Sequence, residues 1–147
     1  MADRRERLLI ECRAAVRARR ARAEAAHGTA LRAVADADVA RVAADAALTR
    51  AGDAWTRQMQ AGFDPTLGSL LARTMLEQAT QADAAAERHD NAVSSSSMSA
   101  RDWQHEEFRC RAVEDQATAA RRRAARRAED RHLCELEDRL TFAWSVS

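Results

Sequence analysis

Four histidines (His27, His89, His105, His132) and three cysteines (Cys12, Cys110, Cys134) are the residues of this 147-residue chain best suited to metal binding or to nucleophile and base chemistry. A zinc site needs three or four such ligands at close spacing, and the nearest pairing, His132-Leu133-Cys134, has no further ligand near it. The cysteines are odd in number and far apart, with no C-x-x-C pair, so neither a disulfide framework nor a zinc module is expected. They read instead as small buried hydrophobes in a reducing compartment. His105 beside Glu106 and Glu107 could supply a base and its orienting carboxylate, but that chemistry needs a pocket that excludes water. No G-x-x-x-x-G-K-[ST] or G-x-G-x-x-G loop occurs to cradle a phosphate. The expectation is a non-enzymatic protein with no catalytic residue, metal, cofactor or small-molecule substrate.

The sharpest local feature is Arg121-Arg122-Arg123-Ala124-Ala125-Arg126-Arg127. Such a run resembles the basic region of a DNA-binding helix. Glu114, Asp115, Glu129 and Asp130 bracket it, however, and the formal net charge is only +1, so attraction to phosphate would be weak. A solvated face or a protein-binding patch is the better reading. Residues 1–24 with 101–147 hold 18 Arg against 14 acids, and residues 25–100 hold 6 Arg against 9 acids. A chain so divided suits two different partners.

The elements that must carry these residues are helices. Large apolar residues make up roughly a fifth of the chain, too few for a thick core, while Ala, Arg, Glu and Leu favour helix and Gly and Pro are scarce. Residues 3–61 contain no proline, and one helix over that stretch would run about 88 Å. Sevenfold steps from Leu9 reach Val16, Ala23, Ala30, Ala37, Ala44 and Ala51. The positions three further on are Cys12, Arg19, Ala26, Ala33, Ala40, Ala47 and Ala54, and together these predict a coiled-coil seam. Gly62-Phe63-Asp64-Pro65 predicts a chain reversal. Helical spacing resumes at Leu67, Leu71, Met75, Ala82 and His89. The run Ser94–Ser97, followed by a capping-box pattern at Ser99–Asp102, predicts a break or kink. Beyond it, Trp103, Cys110, Val113, Ala117 and Ala120 continue the pattern, which then shifts to Leu133, Leu136 and Leu140.

The expected fold is therefore all-α: one domain over residues 1–147, a long antiparallel coiled-coil hairpin. Arm one spans about 3–61, the turn 62–65, and arm two about 66–144, interrupted near Ser94–Ser97. No stretch approaches the length of a membrane span, and the N-terminus does not read as a secretory signal, so a cytoplasmic protein is expected.

The segments Ala54-Trp55-Thr56-Arg57-Gln58-Met59 before the turn, Leu76-Glu77 through Glu87-Arg88-His89 after it, Asp102-Trp103, and Glu135-Leu136-Glu137-Asp138-Arg139-Leu140 with the preceding arginines resemble the FliJ/SctO family. That family comprises the coiled-coil stalks of flagellar and virulence type III secretion. Pro65 and the Ser94–Ser97 run depart from the family pattern. The resemblance implies a stalk linking a secretion ATPase hexamer to the export gate, peripheral to the inner membrane, with export chaperones as further partners. It assigns ATPase contact to Arg4, Arg5, Arg7, Arg121, Arg122, Arg126 and Arg127. Gate contact falls to Leu48, Ala51, Trp55, Ala82, Ala85 and His89, among which the bulky Trp55 is expected to stand out from the alanine seam. A nucleic-acid-associated helical protein and a self-associating coiled coil are the competing readings.

Overall fold

A computed structural model describes the backbone of residues 2–145 and the side chains of residues 7–142 and 144. Two helices, α1 (Ala2–Ala61) and α2 (Pro65–Ser145), pack against each other as an antiparallel hairpin.

The reversal takes three residues. Gly62 adopts φ 113°, a backbone conformation that side chains with a Cβ rarely reach, and so ends α1. Asp64 then caps α2: its Oδ1 accepts from Thr66 N at 2.9 Å, and its own carbonyl accepts from Gly68 N at 2.8 Å, the first bond of the new helix. Pro65 sits at the first helical position, where no backbone N–H is needed. Gln58 Nε2 donates to Gly62 O at 3.2 Å and ties the turn back to α1. Phe63, the residue before the cap, lies over the buried Gly68, whose missing side chain leaves room for the ring.

Contacts divide the chain into two compact units, one made of residues up to Ala21 with those from His105 onward, the other Arg22–Gln104. In the first unit Leu9, Arg13, Val16 and Arg20 of α1 are shielded, together with Glu106, Cys110, Val113, Ala117 and Ala120 of α2. In the second, α1 turns Ala23, His27, Ala30, Val34, Ala37 and Arg41 inward, followed by Ala44, Leu48, Ala51 and Trp55. Opposing them on α2 are Leu71, Met75, Ala82, Ala85, His89 and Trp103. Both patterns step alternately by three and four, the spacing of one helix face. Among the described side chains only Ala82, Ala85, Cys110 and Ala117 are buried apolar groups, so each unit is a thin seam.

Two sequence expectations need correction. From Leu9 to Ala37 the seam takes the position four after each repeat position, not the position three after, whereas towards the turn both Ala47 and Leu48, and both Ala54 and Trp55, are half-buried. Cys12, Arg19, Ala26, Ala33 and Ala40 are exposed, while Arg13, Arg20, His27, Val34 and Arg41 are half-buried. Larger side chains, including arginine stems, cover more apolar area than alanine does, and that decides which flank turns inward. The second correction concerns Ser94–Ser97, which does not interrupt α2. Ser97 Oγ donates to Val93 O at 3.0 Å and Ser99 Oγ to Ser96 O at 2.9 Å, so these hydroxyls bond back along the helix instead of capping a new one. The seam runs through the stretch at Ala92, Ser96 and Ser99. The second arm, expected to end near 144, closes at Ser145.

Gly62→Ala should cost about 1–3 kcal/mol, because alanine must be held at a strained φ. Gly68→Ala should cost less, since the Phe63 ring it meets is 61% exposed and can swing away. Chemical denaturation of the two variants against the parent checks the order.

Candidate interaction surfaces

Several side chains that could do chemistry instead hold the helices together. In the first unit Arg17 donates through Nε and Nη2 to Glu114 Oε1, at 2.9 and 2.7 Å. That hydrogen bond holds the Glu114 carboxyl below its ordinary range, against a smaller opposing effect of desolvation. Arg20 pairs with Glu107, which also accepts from Arg111 Nε at 3.0 Å. Glu106 pairs with Arg109 at 3.1 Å. Neither carboxylate beside His105 is thus oriented on the histidine, and the base arrangement conceivable from sequence is not formed.

In the second unit the His27 ring stacks on Trp103 with centroids 5.9 Å apart and planes at 9°, and His27 Nδ1 lies 3.2 Å from Ser99 Oγ. Further along, Asp38 accepts from Arg41 at 2.9 Å and approaches His89 Nε2 at 3.9 Å. The Asp38 hydrogen bond, followed by its charge, raises the Arg41 guanidinium above its ordinary value. These groups form polar layers within the seam. Small neighbours leave space for such layers, and each layer prefers one axial position of one helix against the other.

Of the sequence-derived residues, Leu48, Ala51, Trp55 and His89 are half-buried on the seam, and Ala82 and Ala85 are buried in it, 6% and 4% exposed. The structure therefore brings these six onto the inner faces of the two arms. Trp55 does not stand out from the seam as expected: it occupies the inward position four after Ala51, with its indole half-covered. Arg121, Arg122, Arg123, Arg126 and Arg127 are all exposed, as is Arg7. The side chains of Arg4 and Arg5 lie outside the described residues. The cysteines also divide: Cys110 is buried as expected, but Cys12, one residue before the inward Arg13, is exposed, as is Cys134, which lies in the stretch from Arg121 to Phe142 where every side chain is exposed.

Among the described residues no group of three His, Cys, Asp or Glu could hold a metal ion, and no helix is long and apolar enough to cross a membrane. A concavity beside the turn, lined by Asp64, Thr66, Leu67 and Arg73 among others, is shallow and open to solvent. What sequence reasoning missed is the set of interhelical layers, Arg17–Glu114, Arg20–Glu107 and His27–Trp103. Writing the repeat with a step of four would have placed Arg20 and His27 inward. No family model, no curated protein and no solved structure matches the chain.

Two measurements check this geometry. Trp55→Ala should lower stability by roughly 2 kcal/mol, short of the loss for a fully buried tryptophan but well beyond a surface change. Glu114→Gln should lower the melting temperature slightly at pH 7. A carboxyl depressed in the folded state stabilises above its unfolded range, and that contribution is lost as pH falls through the folded value. The gap between variant and parent should therefore close below about pH 4.

Proposed function

We propose that the protein is a non-enzymatic connector, a coiled-coil stalk that joins a bacterial type III secretion or flagellar export ATPase to the export gate. The observation that carries this reading is the exposed arginine cluster Arg121–Arg127 on a helical hairpin, beyond the part of the seam held by Arg17–Glu114 and Arg20–Glu107. A dense row of arginines on a helix can form bidentate bonds to carboxylates, which suits an acidic protein surface such as the lining of an ATPase ring. The resemblance of the segments around Trp55, Glu87-Arg88-His89, Asp102-Trp103 and the closing Glu135–Leu140 stretch supports the same assignment.

On this reading Arg121, Arg122, Arg126 and Arg127 contact the ATPase, together with Arg7 and the flanking Arg4 and Arg5. The turn side of the hairpin faces the gate. Because Ala82 and Ala85 are buried, the gate would meet the outer flanks of the arms near Leu48, Trp55 and His89, with the seam supporting that surface from beneath. Export chaperones are further partners, and the site of action is the cytoplasmic face of the inner membrane.

Changing Arg121, Arg122, Arg126 and Arg127 together to Glu should reduce stimulation of the partner ATPase at least tenfold while the helical circular dichroism stays that of the parent. These side chains are solvated, so the fold does not depend on them. Unchanged stimulation removes the assignment. Retention of the parent on DNA that collapses with rising salt and is lost in the same variant would transfer the patch to nucleic acid.

A further inference from the structure

The stretch of α2 from Arg121 to Phe142 is exposed throughout, yet it carries an apolar stripe: Leu133 is 58% exposed, Leu136 41%, Leu140 65% and Trp144 85%. The stripe does not continue the hairpin seam. Extending the inward positions Cys110, Val113, Ala117 and Ala120 by the same three-four alternation reaches Ala124, Arg127, Arg131, Cys134 and Asp138, which are mostly polar. Leu133 and Leu140 each precede a position of that line by one residue and Leu136 precedes Asp138 by two, which centres the stripe roughly 150° from the seam about the helix axis. Their phase therefore belongs to a partner other than α1.

We propose that this partner is a second copy of the chain, its α2 lying parallel and in register through Leu133, Leu136 and Leu140. Written as a heptad, Leu133 and Leu140 are a positions and Leu136 is d. The flanking e positions are then Asp130 and Glu137, both acidic, and the flanking g positions are His132 and Arg139, both basic. A parallel pair sets g of one helix against the following e of the other, so His132 meets the other copy's Glu137, and Arg139 meets the face of its Trp144. An antiparallel pair sets e against e and g against g, placing acid on acid and base on base. All four side chains are exposed, and none of them is ion-paired with another described residue. Arg126 and Glu129, the preceding a and d, would each face their own copy and so limit the pairing to the stretch from Leu133 onward. So short a seam makes a weak dimer.

Sedimentation equilibrium of the full chain over a wide concentration range tests this, independently of any secretion partner. The expected mass rises from 16.3 kDa toward twice that value, and Leu133→Asn with Leu140→Asn holds it at 16.3 kDa without change in helical circular dichroism. Glu137→Arg should weaken dimerisation at least tenfold, and adding His132→Glu to the same chain should restore it. With Cys12 and Cys134 changed to Ser, Leu136→Cys should cross-link to itself on oxidation. A chain that stays monomeric at every concentration, a dimer indifferent to the leucine changes, or cross-linking only between Leu136→Cys and Leu133→Cys chains, the antiparallel match, would each overturn the proposal.

Discussion

The hairpin depends on how little its seam can bury. Alanines let two backbones approach closely but remove little apolar area from water per residue, so neither arm gains a thick core at any point. Ala82, Ala85, Cys110 and Ala117 are the deepest apolar side chains described, and three of these four are alanines. Stability must then come from length and from whatever larger groups the repeat can turn inward. This explains why the seam accepts Arg13, Arg20, His27 and Arg41: their stems and rings fill space that alanine leaves open, while Arg20 reaches Glu107, Arg41 reaches Asp38 and His27 reaches Ser99.

An alanine seam has a second weakness, which the polar layers repair. Small residues interlock poorly, and one helix could slide along the other by a heptad at little cost. Arg17 on Glu114, Arg20 with Glu107, and His27 stacked on Trp103 each have one matching position, so a slip separates charges or exposes a ring. Surface ion pairs of this kind add little stability individually. Their contribution is to register. The capped turn acts in the same sense from the other direction, because Gly62 and Asp64 set where α2 begins.

With the inward faces committed to holding two helices together, recognition falls to what is left outside. The exposed arginines of 121–127 and the leucine stripe from Leu133 lie in succession on the same helix but point to different chemistry, one electrostatic and one apolar. Trp55 illustrates the converse. Its bulk suggests an anchor for a partner, yet the same bulk is what makes it useful on a seam short of large side chains.

The fold class was legible in the sequence because it follows from local rules: scarce glycine and proline, strong helix formers, a sustained sevenfold repeat, and one Gly-Phe-Asp-Pro reversal. The boundaries at Ala61 and Pro65 come from the same chemistry. Three things were decided only by tertiary packing. An alanine-rich repeat satisfies a step of three as readily as a step of four, and only the competition to cover apolar area between the two arms turned Arg13, Arg20 and His27 inward and left Cys12 and Ala26 outside. The serine run reads locally as a break, but a seam continuous on both sides of it holds α2 in one helix while the hydroxyls bond back to Val93 and Ser96. The phase of Leu133, Leu136 and Leu140 can be counted in the sequence, but that they face solvent follows from where the α1 seam meets α2, a fact of packing between residues about a hundred positions apart.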